Sequence, residues 1–369
     1  MRRMLLAGAA VATALAATLT TTATARAAET PSLTLPAPSG HQPVGRSVLH
    51  LKDEARADPW VPSEKRELMV SLWYPAAAPS ATPAPYMTPK ESALYGAAIQ
   101  PPVPADLFAK VVTHATVDPR PVKVRGGLPL VVLSPGYGMP RATLTGLAEE
   151  LASRGYAVAG IGHNYEADGI EFPDGHATSC VTCADKNFPK VGAVRAEDIS
   201  FVLDRLTTAG QQPGVAVDPA RIAVVGHSAG GFSTVPAMVG DPRVKAAVNM
   251  DGNFHFPNDT ALDRPFLMLG KPSHVPGGPD TTWDKTWSKD LTGWKRWLTV
   301  DDTEHLSFTD IAPLAKQAGR PIQKLDGDRA FSVTRTYVTA FLDQHLRGRH
   351  APLLDGPTAC FPEVRFHQP

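Results

Sequence analysis

Serine chemistry is written most plainly into residues 226–230, Gly226-His227-Ser228-Ala229-Gly230. An apolar run, Ile222-Ala223-Val224-Val225, precedes this pentapeptide, and a segment of helical character, Phe232 to Val239, follows it. A serine held between small residues on a sharp strand-to-helix turn is a nucleophile elbow. Its backbone angles are strained, so its neighbours must be small, and Gly226, Gly230 and Gly231 supply the room. The same turn sets the N–H of Ala229 at a helix N-terminus, where it can meet a developing oxyanion. Out of context, G-x-S-x-G in a glycine- and alanine-rich chain is an ordinary turn. The strand before it and the helix after it make Ser228 the expected nucleophile.

A serine hydroxyl needs a base to take its proton and a carboxylate to hold that base in the right tautomer. Elbow serines are followed in chain order by the acid and then the histidine. His305, five residues past an apolar run ending at Val300, is the expected base. Of its competitors His255, His274, His345 and His350, His345 and His350 come too late, on and after the last helix, and His274 follows the seventh strand, where the acid often sits. Two carboxylates compete for the acid. Asp251 directly abuts the strand after the elbow helix, and Asp280 lies in the loop after the following strand. Asp259 and Asp263 are loop residues with no positional merit. A second oxyanion donor is expected from the loop Ser134-Pro135-Gly136-Tyr137-Gly138, and the N–H of Tyr137 is assigned to it beside that of Ala229.

The elements that must position these groups alternate along the chain. Ser47 to Leu51 and Glu67 to Trp73 read as early strands, the second alternating apolar and polar as a half-buried strand does. Residues 75–125 begin with a Pro- and Ala-rich stretch holding a short helix near Glu91 to Ile99, and are expected to form an insertion over one end of the sheet. Six further strands follow: Leu128–Leu133, Tyr156–Ile161, Ile222–Val225, Val244–Met250, Pro265–Leu269 and Trp297–Val300. Between them, Leu144, Leu147 and Leu151 mark one helix face. Ile199, Val202, Leu203 and Leu206 mark another that ends near Gly210. Val333, Tyr337, Val338, Phe341 and Leu342 mark a last amphipathic helix. Eight strands separated by helices predict a mostly parallel doubly wound sheet with helices on both faces, in one α/β domain over 28–369.

Residues 1–27 are expected to be a secretory signal. Arg2 and Arg3 precede an apolar stretch from Met4 to Leu19, and Ala25-Arg26-Ala27 forms an A-x-A cleavage site. Its loss would leave 342 of 369 residues, exported and soluble. It would also take the 36 basic side chains to 33 against 36 acidic ones, which argues against nucleic acid as a partner. Of the three cysteines, Cys180 and Cys183 are expected to form a small-loop disulfide in an oxidising compartment, leaving Cys360 buried or free. Neither metal nor cofactor is expected, because Cys180-x-x-Cys183 has no second pair to complete a zinc site.

Three segments together resemble the platelet-activating-factor acetylhydrolase family, the lipoprotein-associated type of phospholipase A2. They are Gly226-His227-Ser228-Ala229-Gly230-Gly231, Met250-Asp251-Gly252 and His305-Leu306-Ser307-Phe308-Thr309-Asp310. Leu130 to Gly138 is similar to that family's oxyanion strand and loop, and Arg66 to Pro75 to its early strand. The resemblance spans roughly residues 45–347 and implies the α/β-hydrolase fold and a calcium-independent serine esterase. It implies that the acid follows the sixth strand, which selects Asp251 over Asp280. Pro135 stands where the family usually has a histidine, and Ala229 where a bulkier residue is common. The stretch Trp283, Trp287, Trp294, Trp297 has no counterpart as a lipid-binding element. The implied substrates are short-acyl esters or acetylated phospholipid, met by a monomer in transient contact with a lipid surface. A cutinase-like polyester hydrolase is the rival within the class, and a non-catalytic binding protein of the same fold is the rival outside it.

Overall fold

In the strand Leu128–Ser134 every residue is buried, which a strand facing water on one side would not allow. Leu130 and Val132 point into one apolar cluster, Val131 and Leu133 into another. Both faces of the sheet are therefore covered. The computed structural model describes residues 32–208, 214–255 and 261–368. The expected signal segment 1–27, Gly210 and Asp259 lie outside the described residues.

In chain order the elements are β1 (Val44–Ala57), β2 (Lys65–Pro75), α1 (Pro89–Ala98), β3 (Thr116–Val117), β4 (Leu128–Ser134), α2 (Thr145–Ser153), β5 (Ala157–His163), β6 (Ile170–Glu171), β7 (Ala177–Thr178), α3 (Phe188–Thr207), β8 (Val217–His227), α4 (Ala229–Phe232), α5 (Thr234–Gly240), β9 (Val244–Met250), β10 (Phe266–Gly270), α6 (Thr281–Lys285), β11 (Lys295–Val300), α7 (Ile311–Gln317), α8 (Gly327–Arg347) and β12 (Val364–His367). The main sheet runs β12-β11-β10-β9-β8-β4-β5-β2-β1-β3, and β6 and β7 form a separate ribbon. Neighbours from β11 through β5 pair in parallel. The pairs β2–β5, β1–β2 and β11–β12 are antiparallel.

All eight strands expected from the sequence lie in this sheet. Among the described residues it gains two edges, β3 and β12, of two and four residues. Strands that short are too brief to display a period of two. One face packs α3 and α5 through Ile199, Val202, Leu203 and Met238; the other packs α2 and α8 through Leu147, Leu151, Val338 and Phe341. Burial of each such side chain contributes about 1.5–3 kcal/mol before entropy is subtracted. A third cluster joins Tyr86, Tyr95 and Phe108 of the 75–125 segment to Leu33, Leu35 and Leu314. Trp283 and Trp297 are fully buried and Trp287 nearly so, so the Trp-rich stretch is core. Among the described residues no helix is long and apolar enough to cross a membrane.

Candidate active site

Ser228 sits where β8 ends and α4 begins, with φ 54° and ψ −115°. That region is costly for a non-glycine residue and survives only when its surroundings enforce it. Here the enforcement is close packing. A Cβ on Gly226 would lie 2.1 Å from Gly230, and one on Gly230 only 1.9 Å from the carbonyl oxygen of Ser134. The Ser228 N–H donates to the Met250 carbonyl at 2.8 Å, which ties the elbow to the end of β9.

Asp251 is the next residue after β9 and also has positive φ, 58°. Its N–H donates to the Leu269 carbonyl at 2.8 Å, so the chain turns while still joined to β10. The carboxylate is fully buried. Its Oδ2 meets Nδ1 of His305 at 2.6 Å, and Nε2 of His305 meets Oγ of Ser228 at 2.8 Å. Oδ1 of Asp251 accepts the Lys271 N–H at 2.8 Å and faces Nδ1 of His274 at 2.7 Å. Burial would raise the Asp251 carboxyl, but hydrogen bonds from His274 and His305 outweigh it and hold it down at about 2. It is an anion throughout the neutral range.

His305 opens a short turn after β11, closed by reciprocal bonds between Glu304 and Ser307. Its carbonyl is held at 2.7 Å by Nε2 of His227, the residue before the nucleophile. Burial, then the nearby His305, push His227 down to about 3, so it is neutral and donates from Nε2. The His305 side chain is 43% exposed and Ser228 is half-buried, so a reactant can reach both. A cleft of about 310 Å³ opens here, lined by Asp251, Lys271, His274, Asp280 and His305 among others.

The loop Ser134–Gly138 packs directly on the start of α4, as the Gly230 contact shows. It brings the peptide of Tyr137 to the same end of the sheet as the peptide of Ala229. The Ala229 N–H, first in its helix, has no intrahelical acceptor. The Tyr137 hydroxyl donates to the Thr182 carbonyl, inside the small loop closed by the Cys180–Cys183 disulfide. Cys360 is free and exposed.

The structure thus brings Ser228, His305 and Asp251 into one hydrogen-bonded line. Asp280 does not reach His305. It caps α6 through the Thr282 N–H, 3.0 Å, and its Oδ2 stands 3.2 Å from Nε2 of His274, out of hydrogen-bond alignment. His274 and Asp280, rivals in the sequence, are linked partners behind Asp251. His255 stacks on Phe188, and His345 packs against Trp294. Asp263 lies in the loop before β10. Sequence reasoning missed His227, although its place beside the serine was a signal. It also missed a second set, Ser134–His163–Asp198, whose members all precede Ser228 in the chain. Among the described residues no group of three or more His, Cys, Asp or Glu is placed to hold a metal ion.

Comparison with known proteins places this site among ester hydrolases. The model of the platelet-activating factor acetylhydrolase, isoform II, family matches residues 27–186. A ferulic acid esterase from Streptomyces cinnamoneus, of known structure, is 45% identical with a TM-score of 0.82, covering 91% of this chain and all of that one. A probable 1-alkyl-2-acetylglycerophosphocholine esterase of Arthroderma benhamiae is 28% identical over 91% of this chain and 94% of its own length. Cutinase est1 of Thermobifida alba is 30% identical over about a third of each chain, 32% and 33%. The chain is a carboxylic ester hydrolase of the α/β-hydrolase fold, and its residues 27–186 are similar to the platelet-activating factor acetylhydrolase isoform II family.

Proposed function

We propose that this chain is an exported serine esterase that works through an acyl-enzyme on Ser228. Ser228 Oγ attacks the ester carbonyl while His305 Nε2 takes its proton. The N–H groups of Tyr137 and Ala229 hold the oxyanion, and His305 then returns the proton to the leaving alcohol. Water repeats the sequence on the acyl-enzyme, with His305 as base, and frees the acid. Asp251 fixes the His305 tautomer throughout. The observation that carries this reading is the unbroken line from Asp251 Oδ2 through His305 to Ser228 Oγ, 2.6 and 2.8 Å. Export rests on the pattern of residues 1–27; the Cys180–Cys183 disulfide agrees with an oxidising compartment.

For the acyl group we assign an aromatic acid of the hydroxycinnamate kind. Half-buried Phe188 contacts Tyr137, Phe232 and His255, with ring centroids 5.7, 6.1 and 4.7 Å away. Tyr137 belongs to the oxyanion loop, and the Phe232 N–H donates to the Ser228 carbonyl at 3.1 Å. These rings offer an aryl face beside the nucleophile, and the 45% identity to a ferulic acid esterase supports the same choice. A lipid ester with a short acyl group is the second reading. It is favoured by an apolar cleft of about 340 Å³ between α1 and α7, whose lining includes Leu306, the residue after His305.

A panel of methyl ferulate, 4-nitrophenyl acetate, an acetylated glycerophosphocholine and polyester film separates these substrates. Ser228→Ala should lose both hydrolysis and labelling by a fluorophosphonate probe. Preference for the acetylated lipid over methyl ferulate would overturn the aryl assignment and leave the esterase mechanism standing.

A further inference from the structure

Behind the proposed triad lies a second, buried pair that the reaction as written does not use. His274 follows β10 and is only 3% exposed. Its ring stacks on the Trp283 indole at 4.3 Å and 7°. Its carbonyl accepts from Trp297 Nε1 at 3.0 Å and Thr299 Oγ1 at 2.5 Å. A Cβ on Gly270 would lie 2.7 Å from His274 Cβ and 2.8 Å from Trp283, so even the strand end is shaped to fit this stack. The imidazole cannot swing away. One nitrogen is bonded to Asp251 Oδ1 at 2.7 Å, and the other lies 3.2 Å from Asp280 Oδ2, within ion-pair reach though not aligned as a hydrogen bond.

An imidazole between two carboxylates has a use for both its protons. Burial opposes its charge, yet the Asp251 and Asp280 contacts prevail and raise its pKa above the ordinary histidine value. The groups facing it are few. From the β9 end comes Asp251, and from the cap of α6 comes Asp280. His305 lies beyond Asp251 on the loop after β11, and His227, neutral, lies behind His305. Lys271 turns its ammonium toward Glu304 at 3.9 Å.

We propose that His274, protonated and braced by Asp280, is a positioning residue that acts on His305 through Asp251. The inference rests on the triad assigned above. A cation at Oδ1 fixes the carboxylate plane so that Oδ2 stays on His305. It also draws negative charge away from Oδ2, so the imidazolium form of His305 is stabilised less than a lone carboxylate would stabilise it.

The test is the pH profile of kcat/KM for 4-nitrophenyl acetate, measured on the full exported protein. Wild type, His274→Gln and Asp280→Asn are compared, with Ser228→Ala as the blank. Removing the cation should move the acid limb up by about one pH unit in His274→Gln. In Asp280→Asn, where the cation is only destabilised, the same limb should move less but in the same direction. KM should change little in either. A folded His274→Gln with an unmoved acid limb would overturn the proposal, even if kcat fell, because a packing defect lowers rate without moving the limb. Should His274→Gln fail to fold, Asp280→Asn decides alone, since asparagine also caps a helix. Hydrolysis surviving in Ser228→Ala would instead overturn the triad on which the inference stands.

Discussion

Among the described residues two Ser–His–Asp lines have nearly equal geometry, and one of the two is open to a substrate. In the first, Ser228 Oγ, His305 and Asp251 are linked at 2.8 and 2.6 Å. In the second, Ser134 Oγ lies 2.9 Å from His163 Nε2, and His163 Nδ1 lies 2.9 Å from Asp198 Oδ2. Both use the same ring nitrogens for the same partners. Their surroundings differ. Ser134, His163 and Asp198 are all at most 1% exposed, whereas the His305 side chain is 43% exposed. Ser134 belongs to β4, while Ser228 is held at φ 54° on a turn.

Charge separates the two as well. Asp198 accepts from Arg66 through both oxygens and from Arg56; against its burial, Arg66 and then His163 hold its carboxyl far below the usual range. Burial, then Arg195, push His163 down, so it is a poor proton acceptor. Arg195 also donates to the Pro135 carbonyl and to Ser134 Oγ. The buried line thus pins the root of the loop that carries the Tyr137 N–H. A triad's connectivity does not make a nucleophile. Access, a strained serine on a turn and oxyanion donors do.

The largest contrast should come from the two serines. Ser228→Ala should lower kcat by about 10⁶, while Ser134→Ala should remain an active esterase with lowered stability. Ester hydrolysis and urea unfolding on both variants make the check, and a dead but well-folded Ser134→Ala would reverse the roles assigned here.

The two aspartates come next. Asp251→Asn should cost about 10⁴ in kcat, since the amide favours the wrong tautomer of the histidine. Asp198→Asn takes from buried Arg66 the carboxylate it meets through two nitrogens, leaving it Asp58 at 3.0 Å and Glu166 at 3.7 Å, and should lower stability by at most about 3–5 kcal/mol. Equal losses of activity at constant stability would erase the distinction.

Acid should act through two buried neutral histidines, His227 beside the first line and His163 within the second. His227 is held at about 3, against 6.5 for the free side chain. Between these values the unfolded chain binds a proton that the folded one refuses, so stability falls as pH drops from about 6.5 toward 3. His163, shifted in the same direction, adds to the slope. Urea midpoints from pH 7 down to 4 should decline, and His163→Gln should flatten the decline. A pH-independent midpoint would contradict the burial of these groups.

The smallest effect should come from the Tyr137 ring. Tyr137→Phe loses the hydroxyl bond to Thr182 but keeps the backbone N–H. At about 1 kcal/mol for one hydrogen bond, kcat should fall only a few-fold. A loss as large as that of Asp251→Asn would mean that the hydroxyl itself takes part.

Residues 222–232 are readable without the structure because an elbow is local: the strand, the glycines, the serine and the helix start are neighbours in the chain. Continuous apolar runs likewise foretell a sheet covered on both faces, since each run must be buried on both sides. Strand order along the chain narrows the histidine to His305. Other features were decided only by tertiary contact. Asp251 and Asp280 are both loop carboxylates near strand ends, and from residue types alone either could serve. The structure separates them because β9 adjoins β8, which sets Asp251 beside Ser228, whereas Asp280 lies one imidazole further away. The tryptophans could have been surface or core; Trp283 and Trp297 are core because they wall the His274 pocket. The buried Ser134–His163–Asp198 line spans 29 and 35 residues of chain. No local pattern marks such a line, because its members meet only when β4, β5 and α3 pack together.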